Sequence, residues 1–150
     1  MTHLVTLAHR VSAIHKKYSE IYSALFSWSF RKSLTRPWLG SEHAHCQYQK
    51  RCFTLNEELD QVLTLLNSGA ELEPNTLFGR EFISVFVDYI QALSRAINRL
   101  SVICDHQCQE DMGVAAYSEE QSRADRTAYD ESIQVYQKQG QQLNLLVKKL

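Results

Sequence analysis

Between Arg80 and Cys104 the apolar residues fall at 82, 86, 89, 93, 96, 100 and 103, in alternating steps of four and three. That spacing predicts a helix with one buried seam. A second stripe at intervals of seven, Ile83, Ile90, Ile97 and Cys104, widens the seam into a broad apolar face. Only several partner helices can cover such a face, so this stretch commits the chain to a helical assembly.

The partners are legible in the same way. Leu4, Leu7, Val11, Ile14, Tyr18, Ile21, Leu25 and Trp28 keep the three-four spacing without a miss. Pro37 and Gly40 then break the helix, because proline disfavours the helical region for the residue before it and glycine permits positive φ. Ser41 can cap a second helix with His45, Tyr48, Cys52, Leu55, Leu59, Val62 and Leu66 on its seam, ending at Asn67 to Gly69. Ser118 followed by Gln121 has the form of a capping box and opens a fourth helix. The seam of that helix runs through Tyr129, Ile133, Tyr136, Gly140, Leu143, Val147 and Leu150. Before Tyr129 only Ala124 and Ala128 offer apolar contact, so its first turns should bury little.

Helices are therefore expected at about 2–32, 41–67, 77–105 and 118–150, with no strand, no internal repeat and one domain over 1–150. Connections this short favour antiparallel neighbours, hence an all-α, up-down-up-down antiparallel four-helix bundle. A coiled-coil dimer of helical hairpins is the structural alternative. A chain of 150 residues can bury about 70% of its unfolded surface and needs no staple to be stable.

Composition narrows the function classes. No window approaches a membrane span, and the N-terminal stretch lacks a small-residue cleavage site, so neither a membrane location nor a secretory signal is expected. Cys46, Cys52, Cys104 and Cys108 form no C-x-x-C pair and no disulfide framework is indicated, which suggests free thiols and a cytoplasmic location. From His9 to Arg51 eight Lys or Arg face two acids, whereas Asp105 to Glu131 has eight acids against Arg123 and Arg126. The opposite signs are expected to lie side by side and neutralise.

In an up-down bundle the end of the first helix, the start of the second, the end of the third and the start of the fourth share one pole. Most chemically distinctive residues gather there. His45, Cys46, Cys104 and Cys108 are candidate ligands for zinc, although all four are ordinary core or capping residues too. Glu42 and His45 have the Glu-x-x-His spacing of di-iron bundles, but a second copy and two further carboxylates are missing, so no cofactor is expected. Glycine-loop nucleotide motifs are absent.

Arg99 and His106, in Arg-x(6)-His spacing, lie on one stripe two turns apart. They resemble the Arg and His of HEPN-type ribonucleases, which are also helical bundles. The resemblance covers these two residues and the fold class, and Arg10 with His15 and Arg36 with His43 share a similar spacing. It implies an RNA-directed role in which arginine clamps a phosphate and histidine acts as general acid or base. Basic and aromatic residues also alternate around Trp28 to Lys32 and Arg36 to Trp38, a pattern compatible with single-stranded nucleic acid but commoner as the closed end of a bundle.

The apolar residues left over are the better guide. Phe26 and Phe30 lie off the first seam, Val102 sits on the polar stripe of the third helix, and Trp38 is in a loop, all near the same pole. They form a surface for a protein partner or a second copy, or else the connection carrying Met112, Val114 and Tyr117 folds over them. The favoured expectation is a non-enzymatic bundle that acts by protein binding through Phe26, Phe30, Trp38 and Val102, with metal or RNA-directed chemistry at the same pole as the alternative.

Overall fold

The computed structural model describes residues 2–32, 44–68 and 77–148. They form four helices: α1 (Thr2–Lys32), α2 (Ala44–Ser68), α3 (Leu77–Asp111) and α4 (Glu119–Val147). No strand occurs among the described residues, and the helices pack as the all-α four-helix bundle that the apolar spacing requires.

The seams are the physical cause. Leu7, Val11, Ile14, Tyr18, Ile21 and Leu25 of α1 are all buried, as are Cys52, Leu55, Leu59, Val62 and Leu66 of α2. Both stripes of α3 reach the core: Phe86, Leu93 and Leu100 from one, Ile90, Ile97 and Cys104 from the other. Each such aliphatic side chain contributes about 1.5–3 kcal/mol by leaving water. In α4 only Tyr129 and Leu146 are fully buried. Leu146 replaces the expected Val147, which is 46% exposed.

Helix α3 also runs farther than expected, to Asp111 rather than about 105. The segment HQCQED contains no breaker, and the helix stops only at Gly113, whose φ is 73°. Gly113 N–H donates to Glu110 O at 3.0 Å and Val114 N–H to Gln109 O at 2.9 Å. Those two bonds are a Schellman closure, which needs the left-handed conformation that glycine adopts without strain. The connection to α4 is thus shorter than the sequence suggested. At its far side Ser118 caps α4 by accepting from Gln121 N–H at 3.0 Å.

Helix neighbours differ in how closely they approach. Helix α3 lies against both α2 and α4; Gln49 to Asp105 pairs an early residue of α2 with a late one of α3, and Ser94 to Asn56 joins the two midpoints. Against α4, Tyr89 meets Gly140 and His106 meets Asp125, again with opposite sense. Among the described residues no Cα of α1 comes within 8 Å of one in α4. Large side chains span that gap: the hydroxyls of Tyr18 and Tyr129 share a hydrogen bond, as do His15 and Tyr136.

Candidate functional site: a clasped pole

The start of α2, the end of α3 and the start of α4 meet at one pole, held by two histidine–aspartate pairs. His45, on the buried seam of α2, donates from Nδ1 to Asp111 Oδ2 at 2.6 Å. Both side chains are nearly enclosed, with exposures of 4% and 12%. Buried polar groups need such partners, and loss of Asp111 would take from the buried His45 its Nδ1 bond. One turn away Gln49 Nε2 and Gln109 Nε2 both donate to the Asp105 carboxylate, at 3.2 and 3.1 Å.

The second pair joins α3 to α4. His106 Nδ1 donates to Asp125 Oδ2 at 2.7 Å, and the Tyr117 hydroxyl donates to the same oxygen at 2.7 Å. Gln121 Nε2 donates to the other oxygen at 2.9 Å. Consequently the capping box at Ser118 is only half formed, because the Gln121 amide turns to Asp125. Burial works against the ionised carboxyl of Asp125, yet the bonds from Tyr117, His106 and Gln121 outweigh it and hold the carboxyl below its ordinary range. Burial, reinforced by the Asp125 charge, raises the Tyr117 hydroxyl. The first turns of α4 are thereby anchored by polar contacts, where apolar spacing alone indicated little attachment.

Beside these pairs Cys46 and Cys108 form a disulfide between α2 and α3, with Cα atoms 4.8 Å apart. Met112 Sδ lies 3.8 Å from each sulphur. This corrects the expectation of four free thiols: only Cys52 and Cys104 are free, both buried in the core. The Cys104 thiol is pushed far up by its hydrogen bond with Cys52 and by burial.

The candidate zinc set of His45, Cys46, Cys104 and Cys108 is therefore not assembled. A disulfide offers no thiolate, Cys104 is held protonated, and His45 is engaged by Asp111. Among the described residues no group of three or more His, Cys, Asp or Glu is arranged to hold a metal ion. Arg99 and His106 are likewise not brought together. Arg99 is exposed, about 10 Å back along α3 at 1.5 Å per residue, while His106 is turned to Asp125 and packs on Tyr117 with ring centres 5.0 Å apart.

Of the expected partner residues, Phe26 is covered: the Arg126 guanidinium sits 3.9 Å over its ring and Tyr129 stacks beside it at 6.1 Å. Val102 is half-buried. The Phe30 side chain and Trp38 lie outside the described residues. Met112 and Val114 do not fold over the pole as a cover; they are 57% and 69% exposed. Tyr117 alone turns inward.

Among the described residues the ion pairs of Arg side chains lie within α4. Arg123 and Arg126 bond Glu119 and Asp130 on their own helix, and the acids Asp111 and Asp125 are taken by histidines. No protein-family model matches the chain, no curated protein is similar to it, and no solved structure resembles it.

Proposed function

We propose that the chain is a non-enzymatic helical bundle that works by binding another protein, or a second copy of itself, through the clasped pole. The observation that carries this reading is the exposure of Met112 and Val114, at 57% and 69%, on a turn that is fixed from every side. The Schellman closure, the capped start of α4 and the Cys46–Cys108 disulfide all hold that turn in place. Apolar groups presented on a preorganised turn bind at low ordering cost. Glu110, Glu119 and Glu120 flank them and favour a partner with a basic rim. Of the contact residues expected from sequence, Val102 remains partly accessible on α3, while the Phe30 side chain and Trp38 lie outside the described residues.

Replacing both residues, Met112→Asp with Val114→Asp, tests the surface. Helix content should persist while self-association by light scattering, or capture of a defined partner at measured affinity, falls by roughly 10-fold or more. Unchanged mass and unchanged capture would remove this surface from consideration.

One observation favours a second reading. A histidine whose Nδ1 is held by a carboxylate, as His106 is by Asp125, has the orientation of a general base. Neighbouring groups to bind phosphate or supply a nucleophile are what an RNA-directed activity would need in addition. Ribonucleolysis abolished by His106→Ala would favour it over protein binding.

Location turns on the disulfide. No helix of the described residues is long and apolar enough to cross a membrane. A stable Cys46–Cys108 bond suits an oxidising compartment, whereas in the cytoplasm expected from sequence it would be transient.

A further inference from the structure

We propose that the groove between α1, α3 and α4, away from the clasped pole, binds a neutral and largely apolar small molecule carrying one hydrogen-bonding group.

The groove follows from the side chains that set the helix spacing. Near the middle of α1 the pairs Tyr18–Tyr129 and His15–Tyr136 bridge to α4. Toward the start of α1 the lining residues shrink to Val11, Ser12 and Ala8, and α4 answers with Gly140. Small residues cannot fill a gap that tyrosines hold open, and a cavity of about 490 Å³ remains. That volume is within the range of small-molecule sites, about 300–1,000 Å³.

Its chemistry is selective. Phe82, Phe86, Tyr89 and Leu143 give it aromatic and aliphatic walls. No Asp, Glu, Lys or Arg lines it, although such residues make up 22% of the chain. A charged ligand would lose hydration there with no counterion to replace it. Its polar lining is uncharged: Ser12, Gln137, Gln141 and Asn144 stand at exposed positions, while the His15–Tyr136 pair is the part-buried polar feature of the wall, and burial lowers the pKa of His15, which favours the uncharged ring. A phenol that bonds one imidazole nitrogen retains capacity for one more hydrogen bond, so a hydroxyl, amide or carbonyl on the ligand fits that end. Gly140 matters to the shape: a Cβ there would sit 3.2 Å from Tyr89 Cε1, tighter than ordinary contact, so this ring of the wall would have to shift.

The test uses two fluorescent probes with similar aromatic bodies, neutral N-phenyl-1-naphthylamine and anionic 8-anilino-1-naphthalenesulfonate, titrated into the intact chain. Saturable one-site binding of the neutral probe is expected, about 10-fold or more tighter than that of the sulfonate. Ser12→Trp, at an exposed position on the rim, should weaken the neutral probe about 10-fold with helix content unchanged. Should Ser12→Trp fail to fold, Gly140→Ala provides the second reading and should weaken binding several-fold. 1-Naphthol should compete better than naphthalene, and that preference should vanish when His15→Phe is combined with Tyr136→Phe. Absence of saturation, equal affinity for both probes, or full affinity in a folded Ser12→Trp would each overturn the proposal.

Discussion

The α2–α3 and α1–α4 seams belong to one bundle and are built in opposite ways. Between α2 and α3 small or slender residues let the backbones close in: Cys46 and Cys108 are bonded, Cys52 and Cys104 share the core, and Ser94 reaches Asn56. Between α1 and α4 tyrosines and a histidine stand tip to tip, and the Cα atoms stay more than 8 Å apart. Side-chain size thus sets helix spacing, as it does wherever ridges meet grooves. The close seam supplies a stiff frame that presents the 112–118 turn. The wide seam supplies room.

The largest break in that contrast should come from the frame. Removing the disulfide with Cys46→Ser and Cys108→Ser opens a loop of sequence separation 62 and should cost about 4 kcal/mol on the chain-entropy estimate. Urea unfolding of the oxidised and substituted proteins measures it, and a change below about 1 kcal/mol would mean that the close seam does not depend on its staple. Ile97→Ala, at a fully buried position of α3, should cost about 2–5 kcal/mol by the same measurement.

The wide seam should respond less. Tyr129→Phe leaves the Tyr18 hydroxyl without its buried partner, at about 1–3 kcal/mol, and should loosen α1 before it loosens α3. Burial raises the pKa of both tyrosines, so neither hydroxyl ionises near neutral pH to complicate the comparison.

A smaller effect distinguishes the pole from both seams. Asp125 is held below its ordinary carboxyl pKa, so its contribution is complete where folded and unfolded chains are both ionised. As pH falls through the ordinary carboxylate range toward the lower folded value, the unfolded chain takes up its proton first and the contribution is lost. Asp125→Asn should therefore flatten the acid limb of the stability curve while leaving its neutral part lower by roughly 1–3 kcal/mol. An acid limb of unchanged slope would show that Asp125 does not anchor α4.

Much of the frame was legible in the sequence. The α1 and α3 seams read off directly as buried residues, because their spacing is long and uninterrupted, and the Ser118 cap was visible as a local pattern. The candidate site was less accessible. The His45–Asp111 and Cys46–Cys108 partners are 66 and 62 residues apart, a distance at which spacing carries no pairing information. His106 with Asp125 is nearer, at 19 residues, but depends on where α3 ends. Gly113 carried that signal: as the glycine of the connection it marks the left-handed closure that lengthens α3 and fixes the turn. Tyrosine positions were readable as core. Their consequence for helix spacing was not, because periodicity records which face is buried and says nothing of how far away its partner lies.

Native-state hydrogen exchange tests the division between close and wide seams most directly. Amides of α2 and α3 around Leu59, Val62, Leu93 and Ile97 should exchange only with the global unfolding free energy, while those of α1 around Val11 to Tyr18 open at a measurably lower one. Equal protection of α1 and α3 would contradict the account.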